Sequence, residues 1–325
     1  MILNADARSI PLQDRSVQCC VTSPPYFGLR DYGNDAQIGL EDTPAAFVAN
    51  LVAVFREVYR VLKDDGVLWM NLGDSYVASA RGNKPGDTSK STLNKEAQGY
   101  HDEQVARVDK TRFGLAGKNL IGIPWRVALA LQDDGWILRS DIIWHKTSCM
   151  PESVKDRPTR NHEYLFMFAK RPKYYYDADA IAEPIAEASR KRYTAVVENN
   201  ETFDPDTHKH GDGVQAPMEV MTRAAAGIIE RGIRNKRTVW SISPQNYSGA
   251  HFATYPEKLP ATCILASSRI GDVVLDPFSG SGTTGVAAEH FGRKYVGVEL
   301  NPAYATLSVD RIRQGSKKLP DLSLF

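Results

Sequence analysis

The chain has 325 residues, of which 42% are hydrophobic, and a formal net charge of +1. That is enough apolar material for one large α/β domain, with or without a smaller appendage. A near-neutral balance excludes a global field toward nucleic acid or membrane, so any basic surface must be local.

At the N-terminus, Asn4, Asp6 and Arg8 interrupt what would otherwise be a signal segment. No apolar run approaches the roughly 18 residues of a membrane span, so a cytoplasmic, membrane-free protein is expected. The first element is VQCCVT at 17–22, read as a short buried strand. It carries Cys19 and Cys20; with Cys149 and Cys263 isolated and no C-x-x-C pair, all four read as small apolar residues and no metal site is expected. Behind that strand stands SPPY, Ser23 to Tyr26. Two prolines cannot continue a sheet ladder, because each lacks an N–H donor, so the strand ends in a rigid loop.

Residues 44–63 place Phe47, Leu51, Val54, Phe55, Val58 and Leu62 at helical steps, with Thr43 as cap, Pro44 in the first turn and Asp65-Gly66 as terminator. VLWMNL (67–72) is then a strand, and strand, helix, strand in succession signals a parallel sheet. Residues 77–118 are polar and aperiodic, as in a lid-like insertion. Order resumes with a helix at 123–136 and strands at 136–145 and 163–170, and KYYYD (173–177) reads as one more strand. Residues 185–238 change character, with mixed charge, few apolar runs and basic stretches at 190–192 and 231–237.

The segment 271–302 reads strand, glycine loop, helix, strand. Gly280, Gly282 and Gly285 form G-x-G-x-x-G, and Glu299 closes the next strand about 20 residues on. Glycines allow close backbone approach to a ligand, and a carboxylate accepts the hydrogens of both ribose hydroxyls. A ribose-containing cofactor at a parallel sheet edge follows. A dinucleotide and S-adenosylmethionine both satisfy this loop; the latter's ammonium would favour a carboxylate such as Asp276. A nicotinamide-dependent oxidoreductase is the alternative these glycines permit. It gives Ser-Pro-Pro-Tyr no role. Too short a stretch follows Glu299 to complete a doubly wound sheet, so the earlier strands must complete it.

TSPPY followed much later by DPFSGSGTT resembles the amino-methylating DNA methyltransferases, in their beta-type permuted order. The resemblance implies a Rossmann-like, mostly parallel sheet with helices on both faces, circularly permuted and carrying an inserted DNA-recognition region. Residues 1–184 would form the catalytic half, 185–238 the target-recognition region and 239–325 the cofactor half. It implies S-adenosylmethionine as cofactor and double-stranded DNA as partner. A cognate restriction enzyme and a homodimer are compatible with it. Ser23, Pro24, Pro25 and Tyr26 match the catalytic tetrapeptide. Asp276, Pro277, Phe278, Gly280, Gly282 and Thr283 match the cofactor loop, and Glu299 the ribose acid. HFATYPEKLP resembles the segment preceding that loop and makes Lys258 a further cofactor candidate, although Leu259 stands where proline is usual. Asp6 resembles an acid beside the target base. Phe27 and Arg30 are candidates for holding a flipped nucleotide, and Arg190, Arg192, Arg231, Arg234, Lys236 and Arg237 for contacting DNA. Serine at the first tetrapeptide position resembles the cytosine-N4 enzymes; aspartate there is more like the adenine-N6 enzymes.

Overall fold

In the computed structural model, which describes residues 1–77, 114–149, 151–200, 218–245 and 255–315, the chain divides into two units. Met1–Tyr176 with Thr238–Phe325 forms the larger and Asp177–Arg237 the smaller. The strands in chain order are β1 (Ile2–Asn4), β2 (Val17–Thr22), β3 (Leu62–Leu72), β4 (Ile137–His145), β5 (His162–Ala169), β6 (Glu183–Pro184), β7 (Ile233–Arg234), β8 (Val239–Ser241), β9 (Val273–Asp276) and β10 (Lys294–Glu299). The helices are α1 (Pro44–Val61), α2 (Ile123–Asp133), α3 (Glu187–Asn200), α4 (Met218–Arg231), α5 (Lys258–Ser267), α6 (Thr283–His290) and α7 (Pro302–Gly315).

The larger unit is built on an eight-stranded sheet ordered β1-β10-β9-β2-β3-β5-β4-β8. Only β5 runs against its neighbours; the other pairings are parallel. Side chains on a strand alternate between faces. Cys20, Leu68 and Met70 join the cluster that includes Phe47, Leu51 and Phe55 of α1 and Val127 and Leu131 of α2. Cys19 and Trp69 point the other way, where both bond to the Ser267 hydroxyl of α5. Helices therefore cover both faces, as expected. No helix among the described residues is long and apolar enough to cross a membrane.

The α1 reading holds: Thr43 accepts from the Ala46 N–H, Pro44 opens the helix and the named apolar positions are buried. Its end differs. The chain passes from Val61 directly into β3, and Asp65-Gly66 lies inside that strand. The register against β2 jumps from Val17↔Leu62 to Cys19↔Val67, so these turn residues form an irregularity in the ladder, not a loop before it. KYYYD is no strand either. Tyr175 N–H bonds to the Asp65 carbonyl and Tyr174 accepts from Arg139, which ties the segment down without a ladder. Of the expected insertion, 78–113 lies outside the described residues. Its ends meet: Tyr76 bridges Leu120, and Val77 N–H donates to the Asn119 carbonyl.

The smaller unit begins earlier than the composition suggested, at Asp177 and not 185. It pairs α3 with α4 and closes a two-stranded antiparallel ribbon, β6 with β7. Glu183 on β6 faces Arg234, Lys236 and Arg237 at 3.3–3.7 Å, and Arg231 bonds to Asp179 at 2.7 Å.

Candidate active site

Strands β9 and β2 are parallel neighbours, with Cys19↔Val274 and Cys20↔Leu275 in register. From that seam the chain order runs outward both ways, β9 to β10 and β2 to β3. Such a reversal opens a crevice at the carboxyl ends of the strands. The loop after β2 is Ser23–Tyr26 and the loop after β9 is Pro277–Gly282, so two distant segments leave the sheet side by side. A cavity of about 260 Å³ lies there, lined by Ser23, Pro24, Pro25, Tyr26, Asp276, Pro277, Phe278, Gly280, Thr283 and Glu299 among others. Asp6 and Arg30 also line it.

The glycines divide their labour. Gly280 has φ +50°, and a Cβ there would meet no protein atom nearer than 3.9 Å, so the space beside it belongs to the cavity. Gly282 has φ +80° and opens α6; a Cβ would lie 2.5 Å from Ser308 Oγ on α7. Gly285 admits Ile312 and Tyr295, which a Cβ would approach to 2.5 and 2.6 Å. Only the first borders the cavity; Gly282 and Gly285 serve packing. Helix α7 then braces the loop, because Arg311 donates to the Ser281 hydroxyl at 2.5 Å and to the Thr283 hydroxyl at 2.9 Å.

Two carboxylates sit at the strand ends. Glu299 Oε2 accepts the Gly280 N–H at 2.8 Å and Oε1 the Asn301 N–H at 2.9 Å. Burial raises its pKa, against the pull of those N–H groups. Asp276 is buried and accepts from the hydroxyls of Thr22 and Thr284 at 2.6 Å and from Phe278 N–H at 3.0 Å. Burial pushes its pKa up as well, and these donors pull it down. Asp6 is held by Arg8 through both carboxylate oxygens, a bond that lowers its pKa.

At the other wall, the Tyr26 hydroxyl donates to Glu163 Oε2 at 2.5 Å and lies 3.3 Å from Asn71 Oδ1. Glu163 Oε1 pairs with Lys146 Nζ, which stands 4.8 Å over the Trp144 ring. All five residues line the cavity. The sequence reading missed Asn71, Trp144, Lys146 and Glu163. Asn71 was detectable as the polar residue in an otherwise apolar strand, VLWMNL.

Other candidates lie elsewhere. Phe27 is 2% exposed and packs on Phe47 at 5.4 Å, so it belongs to the core and not to a nucleotide grip. Lys258 opens α5 and is absent from the cavity wall; its segment contributes Tyr255 instead, bonded to Thr284. Arg190 and Arg192 lie on α3, with Arg192 beside Tyr193, and Arg231, Arg234, Lys236 and Arg237 face the carboxylates of the smaller unit. No group of three or more metal-ligating side chains occurs among the described residues.

A family model for N6 and N4 methyltransferases, described as DNA methylase, matches residues 17–310. The type II methyltransferase M.Cfr9I of Citrobacter freundii is 45% identical over 314 residues, spanning 96% of this chain and 87% of that one. A putative DNA modification methylase from Thermus thermophilus, solved with S-adenosyl-L-methionine, superposes with a TM-score of 0.57 at 25% identity, covering 98% of this chain and 95% of its own. The cytosine-N4-specific PvuII DNA methyltransferase shares the fold, with a TM-score of 0.59 at 18% identity over 99% of this chain and 88% of that one.

Proposed function

The chain belongs to the N6/N4 DNA methylase family and is a site-specific DNA methyltransferase; from that premise we propose that it methylates N4 of a cytosine flipped out of duplex DNA, with S-adenosylmethionine as donor. What carries the proposal is the adjacency of the Ser23–Tyr26 loop and the glycine loop around one cavity. The open space beside Gly280 and the acceptor oxygens of Glu299 fit a ribose-bearing cofactor. Glu299 would hold the ribose, and Asp276 with the Phe278 backbone would flank the amino-acid end. When bound, the cofactor supplies an electrophilic methyl carbon on a sulfonium.

An exocyclic amino nitrogen is a weak nucleophile, because its lone pair is conjugated with the ring. Ser23 Oγ accepts one amino hydrogen and the Pro24 carbonyl the other, which holds the nitrogen nearer a tetrahedral geometry and frees the lone pair. Tyr26 stacks on the base. As the nitrogen gains its methyl it becomes positive, and the same two acceptors stabilise that charge. A proton then leaves the nitrogen for solvent, so no strong base is needed. Extrusion from the duplex costs a few kcal/mol. Serine at position 23 favours cytosine over adenine as the target. Residues 177–237 serve as the target-recognition region, and the likeness to type II methyltransferases supports a cognate restriction enzyme as partner.

Replacing Ser23 or Tyr26 with Ala tests the roles. Turnover on duplex DNA should fall about 100-fold or more, with cofactor binding, followed by tryptophan quenching, changed less than about threefold. Undiminished turnover would remove both residues from the catalytic set.

A further inference from the structure

Neither the tetrapeptide nor the glycine loop accounts for the Lys146–Glu163 pair on the cavity wall. Glu163 lies on β5 and Lys146 just beyond β4; their side chains are 12% and 26% exposed, so the pair is largely withdrawn from water. One carboxylate oxygen takes Lys146 and the other takes the Tyr26 hydrogen. With its hydrogen committed to Glu163, the Tyr26 hydroxyl is held in one orientation. The ring is fixed from behind too: a Cβ on Gly73 would collide with Tyr26 Cε2, so the ring occupies the space that glycine leaves.

We infer that Glu163 is a positioning residue for methyl transfer. It takes the Tyr26 hydrogen and fixes the ring, while Lys146 holds the carboxylate from the far side. A bond to a carboxylate is roughly twice as strong as one between neutral groups, which suits an orienting role. Burial, with the Glu163 charge beside it, pushes the Tyr26 phenol well above its ordinary range, so the phenol keeps the proton it donates. The inference deepens the proposed function and rests on it, since the orientation of Tyr26 matters only if it faces a base.

A double-mutant cycle in steady-state methylation of duplex DNA tests it. Glu163→Ala and Tyr26→Phe should each lower kcat about tenfold or more, with KM for DNA and cofactor binding within about twofold. Combined, they should lose under about twofold beyond either alone, because Glu163 acts through the hydroxyl that the Tyr26→Phe variant lacks. Glu163→Gln, which keeps an acceptor, should recover most of the loss. If Glu163→Ala melts early, Glu163→Met fills the space and carries the same cycle. Equal losses from Glu163 replacement with Tyr26 intact and in the Tyr26→Phe background, or full turnover in Glu163→Ala, would overturn the inference. Failure of the unmodified protein to methylate DNA would instead overturn the proposed function.

Discussion

At the residue scale, the two strand-end carboxylates have a pH consequence with a definite sign. Burial raises Glu299 above the ordinary glutamate value of 4.5 and Asp276 above 3.8. A raised carboxyl pKa favours the protonated, folded protein, so the stability these groups confer is full below their unfolded values and declines as pH rises through the folded ones. Cofactor binding, with Glu299 in its proposed ribose-holding role, runs the other way. Glu299 can accept two ribose hydrogens only when ionised. Cofactor affinity should therefore begin to fall on acidification above pH 4.5, and Glu299→Gln should flatten that limb while lowering affinity at neutral pH. Fluorescence titration against pH measures it; a limb unchanged by the substitution would assign the dependence elsewhere. At this scale the tetrapeptide, Asp276 and Glu299 were legible because each matches a motif whose chemistry is local. Glu163 and Lys146 were not, since their meaning depends on a strand pairing that brings them to Tyr26. Phe27 misled for a related reason: it adjoins the site in sequence but turns into the core against Phe47.

At the scale of elements, apolar periodicity located α1, α2 and most of the strands, because burial repeats with the backbone period. Element ends were less legible. The Asp65-Gly66 turn residues sit within β3, where parallel pairing to β2 resumes on both sides of them. The start of α2 has no local side-chain cap; Asp74, far away in sequence, accepts from Gly122 and Ile123 N–H at 3.0 Å. Helix α6 carries the sharpest packing demand. Gly285→Ala would drive a Cβ toward Ile312 and Tyr295, at 2.5 and 2.6 Å. Overpacking of this kind costs about 1–3 kcal/mol, so thermal melting should show a lowered midpoint. An unchanged midpoint would mean that α7 moves aside without cost. The G-x-G-x-x-G spacing predicted such a helix, but only the structure shows which glycine borders the cavity and which meet α7 and β10.

At the scale of the molecule, the chain order makes the site a meeting of two distant segments. Chain order and spacing alone indicated that the glycine half comes last and that earlier strands complete the sheet, and the β2–β9 pairing bears this out. The basic stretches were legible as charge, but their partners were not. Glu183 stands among Arg234, Lys236 and Arg237, which organises these cations within the smaller unit. One carboxylate among three cations still leaves net positive charge, consistent with the proposed DNA contact. Which bases that unit reads depends on a few side chains without a sequence signature. The base that is methylated, however, is open to direct measurement. Duplex DNA incubated with the protein and isotopically labelled S-adenosylmethionine can be digested and its nucleosides resolved by mass spectrometry. The account predicts labelled N4-methyldeoxycytidine, lost in Ser23→Ala; labelled N6-methyldeoxyadenosine alone, or no labelled nucleoside, would contradict it.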